Sequence, residues 1–158
     1  GVLFIDEAYS MAEGTFGAEA VSTLIKLMED RRGDFVLILA GYTKPMAMLL
    51  ESNPGFRSRI KDYLEFPDYT TEEAVQILEG MAKSEGLTIT KSAVEKFKKR
   101  YEKEAKKKDF ANARTVRNIL DEAISSYALR AESGLLASAD RAITDADINE
   151  NIPKNPWD

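Results

Sequence analysis

The chain has 158 residues, 44% hydrophobic and 31% charged, with a formal net charge of −5. That composition describes one ordinary globular domain or two small ones, and the acidity argues against a nucleic-acid binder. Cysteine and histidine do not occur, which excludes disulfides, thiolate nucleophiles, the usual zinc ligands and the usual neutral-pH general base, and leaves oxygen-ligated magnesium as the favoured metal chemistry.

The chain enters a strand at once, Gly1-Val2-Leu3-Phe4-Ile5-Asp6. Four apolar residues closed by an acid predict a central parallel strand, apolar on both faces. No initiator methionine precedes it, so the sequence reads as part of a longer protein. No signal peptide is expected, and no stretch approaches the roughly 20 apolar residues of a membrane span. A cytoplasmic setting is expected.

A loop over 8–16 leads to a helix over 17–31, whose Ala18, Val21, Leu24, Ile25 and Met28 follow the three-four spacing of a buried face. Residues 35–40, FVLILA, predict a second buried parallel strand, which completes a strand–helix–strand unit. Pro45 suits the first turn of a short helix carrying residues 46–50, which are expected to pack. Ser52-Asn53-Pro54-Gly55 has turn chemistry throughout. A basic segment over 56–61 and a third short strand over 63–66 follow.

Beyond Pro67 the pattern becomes helical. Thr70 or Thr71 caps a helix with Glu72 and Glu73 in its first turn, and Ala74, Ile77, Leu78 and Met81 line its inner face. A second helix spans 91–107 with Val94, Phe97, Tyr101 and Ala105 inward. A third starts near Asn112 and carries Val116, Ile119, Leu120, Ala123, Ile124 and Tyr127. A short fourth helix covers 143–149. The organisation is thus an α/β part over 1–67, an all-α part over 68–150 and a tail over 151–158.

Ligands of open α/β sheets sit at the C-terminal ends of strands, and the first strand presents Asp6 and Glu7 there. Adjacent strand residues point to opposite sides, so the two acids need not repel at one spot. Asp6 is the candidate magnesium ligand, and Glu7 the candidate group to orient and polarise a water attacking a γ-phosphate.

Four runs occur in order: Asp6-Glu7-Ala8-Tyr9-Ser10; Leu37-Ile38-Leu39-Ala40-Gly41-Tyr42; Asn53-Pro54-Gly55-Phe56-Arg57-Ser58-Arg59-Ile60; and Asn112-Ala113-Arg114-Thr115-Val116-Arg117-Asn118. Together they resemble the AAA+ ATPase branch that contains the rubisco activase CbbX, stage V sporulation protein K and the ATPase part of EccA. The resemblance reaches to about residue 150. It implies a partial AAA+ P-loop NTPase core followed by a helical lid, with ATP and Mg2+ as cofactors.

It also implies roles. Asp6 and Glu7 match Walker B. Thr43, with Tyr42 as the second choice, matches sensor 1. Arg57 and Arg59 match the arginine-finger segment that reaches a neighbouring subunit's nucleotide, and Arg59, just before Ile60, is preferred. Arg114 matches sensor 2. Arg117 lies three residues on, nearly the same face, where it either assists Arg114 or pairs with Asp121. Where the family often has glycine before Asn-Ala-Arg, Ala111 stands here.

No G-x-x-x-x-G-K-[ST] occurs in the sequence, so the α- and β-phosphates have no cradle here. The 158 residues alone are expected to bind ATP weakly and hydrolyse none. Residues 8–16 form either a secondary pore loop or an ordinary connection. Residues 96–108 carry eight basic residues against Glu102 and Glu104, and a solvated helix face is expected rather than a nucleic-acid patch. The resemblance implies a hexameric ring acting on a protein client, rubisco among the candidates. The competing readings are a DNA-directed AAA+ motor or clamp-loader-type ATPase, and a non-catalytic assembly module.

Overall fold

The computed structural model describes residues 1–108, 110–133 and 141–151. The chain divides into two compact units, Gly1–Phe66 and Pro67–Asp158.

In the first unit, β1 (Val2–Ile5) and β2 (Val36–Leu39) pair in parallel, Val2 opposite Val36 and Ile5 opposite Leu39. A 3-10 turn (Ala8–Ala12) and α1 (Gly17–Asp30) connect them; α2 (Thr43–Ser52) and α3 (Pro54–Arg59) follow. A tight turn cannot join parallel strands, so the pair needs a crossover, which α1 supplies. Leu3, Ile5, Leu37 and Leu39 pack with Val21, Leu24, Leu49 and Phe56. The other face of the sheet, Val2, Phe4, Val36 and Ile38, is exposed, so the expectation of strands covered on both faces is corrected: the described residues cover one.

Residues 63–66 form no strand. A strand exists only by pairing, and β1 and β2 pair only with each other among the described residues; Leu64 and Phe66 are left 86% and 89% exposed. The run 46–50 packs only in part: Leu49 is buried, whereas Met48 is exposed. Ala18, expected inward, is exposed, and Gly17 is buried instead.

The second unit holds α4 (Thr71–Ser84), β3 (Thr88–Ile89), α5 (Lys91–Glu104), α6 (Ala113–Glu132) and β4 (Ala142–Ile143). Thr70 and Glu73 form a reciprocal capping box at α4, and the bonds from Thr70 hold the Glu73 carboxyl below its usual range. The core joins Leu78, Phe97, Tyr101, Val116, Ile119, Leu120 and Ile143. Tyr101 stacks on Phe97 with centroids 5.7 Å apart and meets Phe110 edge-on at 5.3 Å. Ala105, expected inward, is exposed where α5 has ended.

The fourth helix is not formed. Ala142 and Ile143 pair in parallel with Thr88 and Ile89, a two-residue ladder too short to register as a periodicity. Thr144 then donates to Asp147 from its amide (2.8 Å) and hydroxyl (3.0 Å). These are the bonds that start a helix. Here Asp147 is also drawn inward by Arg130, at 2.6 and 2.9 Å, and the chain continues as a turn. The tail is described only at Asn151; the rest of it lies outside the described residues.

Burial pushes the Asp147 carboxyl up, but the bonds from Arg130 and Thr144 and the Arg130 charge outweigh it and hold it below the usual range. A depressed carboxylate pKa adds stability that is present above the unfolded value near 3.9 and lost as pH falls through the folded one. Asp147→Asn is therefore expected to cost about 2 kcal/mol at pH 7, and less as pH falls below about 4. Circular-dichroism melts of both proteins at pH 7 and pH 3 check this, and a gap that does not shrink with pH would refute the assignment.

Half of the eight basic residues over 96–108 pair with acids in place. Lys98 pairs with Glu95 at 3.0 Å, Lys107 with Glu104 at 2.8 Å, and Lys103 with Glu150 at 3.9 Å. Arg100 departs from the expected solvated face: it is buried, and it donates to both Glu122 oxygens (2.6 and 3.0 Å) and to the Asn149 carbonyl.

Candidate functional site

Past β1 and β2 the backbone ladder continues one step. Ala40 donates to the Ile5 carbonyl and Ala8 to the Ala40 carbonyl, both at 2.9 Å. Asp6 and Glu7 therefore leave the sheet at the same end as Gly41, Tyr42 and Thr43. Glu7 sits at φ 48°, ψ 41°, in the left-handed region, a conformation costing a non-glycine residue on the order of 1–3 kcal/mol. Its amide donates to the Asp6 carboxylate at 3.0 Å. Both acids are exposed.

The second strand end is closely fitted to this turn. A Cβ on Gly41 would lie 2.9 Å from the Tyr9 ring, so glycine is what lets the ring lie against the backbone. The Tyr9 and Tyr42 rings stand 6.5 Å apart. Tyr42 is the extended residue before α2, and Thr43 is its first residue. Both sequence candidates for sensor 1 thus lie at the carboxylate end of the sheet, and both are exposed.

Among the described residues no three acids converge on one point. Asp6 keeps an oxygen that the Glu7 amide does not use, and a hard oxygen donor at a strand end suits Mg2+ completed by water and substrate phosphates. The residues fit the metal in that sense.

The segment 52–55 is less a loop than a helix start. The Asn53 side chain accepts from the Gly55 amide at 2.8 Å, Pro54 takes the first position of α3, and Phe56 is fully buried. Arg57 and Arg59 fall in the last turn, where cations suit the helix dipole. Arg57 is exposed and has no acidic partner among the described residues. Arg59 donates to Glu29 of α1 from Nε (3.2 Å) and Nη2 (3.0 Å).

Arg59 lines an open groove with Gly33, Phe35 and Lys61, beside the residues that precede β2. Asp6 and Glu7 follow the other end of the parallel pair. The four residues of β2 span roughly 13 Å, so the two features sit at opposite ends of the first unit's sheet.

In the second unit Asn112 precedes α6 at φ 50°, ψ −120°, again a region costly for a side chain. Two side-chain bonds hold it: its Oδ1 accepts from the Tyr69 amide at 2.9 Å, and its Nδ2 donates to Asp68 at 2.6 Å. The Tyr101 hydroxyl adds a bond to the Tyr69 carbonyl. The segment 68–70 is thereby clipped to the start of α6. Arg114 and Arg117 project from α6 into solvent. The ion pair open to Arg117, with Asp121, is not formed.

Residues 70–156 match the family model described as the AAA lid domain. The chain belongs to the AAA+ family. It is 45% identical to protein CfxQ of Xanthobacter flavus over 147 residues, covering 90% of this chain and 46% of that protein. It is 43% identical to protein CbbX of Cereibacter sphaeroides over 127 residues (78% and 41%). It is 39% identical to the chloroplastic ribulose bisphosphate carboxylase/oxygenase activase of Cyanidioschyzon merolae over 152 residues (94% and 50%). The chain spans about half the length of the curated relatives it matches. Its fold is that of a partial AAA+ α/β core followed by a helical lid, and no helix among the described residues is long and apolar enough to cross a membrane.

In this AAA+ chain three residues with structural roles were not legible from the motifs. Glu29 was invisible because its partner is 30 residues away. Asn112 stood within a quoted run, yet its positive φ has no sequence signal beyond asparagine's tolerance of such angles. Arg100 was taken with the solvated lysines around it.

Proposed function

We propose that this chain is the Walker B-to-lid half of a ring-forming AAA+ ATPase that remodels a protein client in the cytoplasm. The observation that carries the reading is the placement of Asp6 and Glu7 at one end of the parallel pair, with Glu7 held in a strained left-handed turn, while Arg59 lies at the other end. An arginine placed there serves a neighbour's nucleotide rather than its own, and a ring gives every site such a neighbour. The relatives named as rubisco activases make rubisco, or a protein like it, the favoured client class.

Mg2+ bound with ATP would supply charge neutralisation on the phosphates. Asp6 would hold that metal. Glu7 accepts a hydrogen bond from the attacking water and polarises it toward the γ-phosphate; Thr43 or Tyr42 fixes that water from the adjacent strand end. Arg59, with Arg57 beside it, meets the charge spreading over the transferred phosphoryl group. Arg114 and Arg117, exposed on α6, are the lid's candidate cations for a nucleotide phosphate. Cradling the α- and β-phosphates takes a P-loop, which these 158 residues do not contain, and alone they hydrolyse none.

The test is steady-state ATP hydrolysis by a protein in which a P-loop segment precedes this chain, compared with its Asp6→Asn variant across a magnesium titration. Magnesium-dependent turnover in the parent, reduced at least about a hundredfold in the variant at every magnesium concentration, is expected. Equal turnover by both would remove Asp6 from the site. A parent that binds ATP and forms rings without hydrolysis would leave the assembly-module reading in its place.

A further inference from the structure

We infer that Glu29 is the positioning residue for Arg59: a carboxylate on α1 that fixes one edge of the guanidinium so that the other is presented to a neighbouring subunit's phosphate. The inference rests on the ATPase reading and deepens it.

The contact is specific. A single Glu29 oxygen, Oε2, accepts from both Nε and Nη2 of Arg59, at 3.2 and 3.0 Å. A guanidinium has two edges that can each grip an oxyanion. Glu29 takes the Nε–Nη2 edge. The Nη1–Nη2 edge carries only two long contacts, 3.3 Å each, to the Gly55 carbonyl and the Ser58 hydroxyl. Those are weak enough to exchange for a phosphoryl oxygen. Arg59 and Glu29 line a groove with Arg32, Ser58 and Lys61, in which three cations stand against one acid, a balance that suits an incoming phosphate.

The scaffold behind the pair is built for registry between α1 and α3. A Cβ on Gly55 would stand 3.0 Å from Cγ2 of Ile25, so the glycine lets α3 approach α1 one turn before Glu29. Phe56, fully buried, anchors the same turn of α3. Stability is a poor explanation for the pair itself. Side-chain exposures of 33% for Arg59 and 58% for Glu29 place it where ion pairs contribute little. Arg57, two residues away and exposed, has no such holder among the described residues, which separates the two arginines by their surroundings.

Two measurements test the assignment. The first needs no nucleotide: in the 158-residue chain, the Arg59 Nε–H resonance should show slowed solvent exchange relative to that of Arg57, and Glu29→Ala should abolish the difference. The second uses the P-loop-bearing protein. Glu29→Ala is expected to lower kcat about ten- to a hundredfold, the cost of a misplaced catalytic group, with KM for ATP changed less than about twofold. Glu29→Gln keeps an acceptor for the same edge and should recover most of kcat, which a merely structural role would not predict. In the Arg59→Ala background, Glu29→Ala should cost nothing further.

An unchanged kcat in Glu29→Ala, or an equal loss in the Arg59→Ala background, overturns the assignment while leaving the ATPase reading intact. A parent without any turnover overturns both.

Discussion

Replacing Glu7 with glutamine in the P-loop-bearing protein is expected to lower kcat about a thousandfold and leave ATP affinity within about twofold. Glutamine has the same shape, so the turn, the Glu7 amide bond to Asp6 and the buried Ala8 that follows all persist. Only the charge that polarises water is removed. Turnover and equilibrium ATP binding, measured side by side, separate the two effects, and turnover within tenfold of the parent would remove Glu7 from the catalytic role. A second substitution exposes the role of the strain. Glycine adopts φ 48° freely, so Glu7→Gly should be as inactive as Glu7→Gln, and its conformational relief offsets the backbone entropy that glycine adds. Strain tolerated at this one residue of the strand end is what a preorganised site looks like.

How much of this was legible beforehand depended on how local the signal was. The helix over 17–31 and the one capped by Thr70 or Thr71 announced themselves by three-four periodicity, the second also by Glu72 and Glu73 in its first turn, and the structure forms them as Gly17–Asp30 and Thr71–Ser84. Asp6 and Glu7 were legible because a four-residue apolar run points to a strand and a strand end points to a site. Elements that exist only through distant pairing were not legible. Residues 63–66 have strand-like composition but no partner strand among the described residues. Ala142 and Ile143 have too few residues for any pattern, yet they pair with Thr88 and Ile89 across more than 50 positions. Glu29 and Arg59 failed to appear as a pair for the same reason. In the segment 143–149, Thr144 and Asp147 carry the helix-start signature, and it took the pull of Arg130 to turn that signature into a buried ion pair.

Arg59→Ala is expected to produce the other large effect, a loss of kcat of about a thousandfold or more with ATP affinity nearly intact, whereas Arg57→Ala should cost about tenfold or less. The distinction follows from geometry. Arg59 is held by Glu29 and Arg57 by nothing described, and a group must be fixed before its charge can be spent on a transition state. Lysine should not replace it. An ammonium cannot engage Glu29 along one edge and a phosphate along another, so Arg59→Lys is expected to lie within tenfold of Arg59→Ala. The opposite-end placement of Arg59 and Glu7 adds a sharper consequence. Rings mixed from Glu7→Gln and Arg59→Ala subunits contain interfaces where an intact Glu7 faces an intact Arg59, so the mixture should turn over ATP well above either variant alone. If the mixture merely averages the two inactive proteins, Arg59 does not act across an interface, and the ring loses its mechanistic reason.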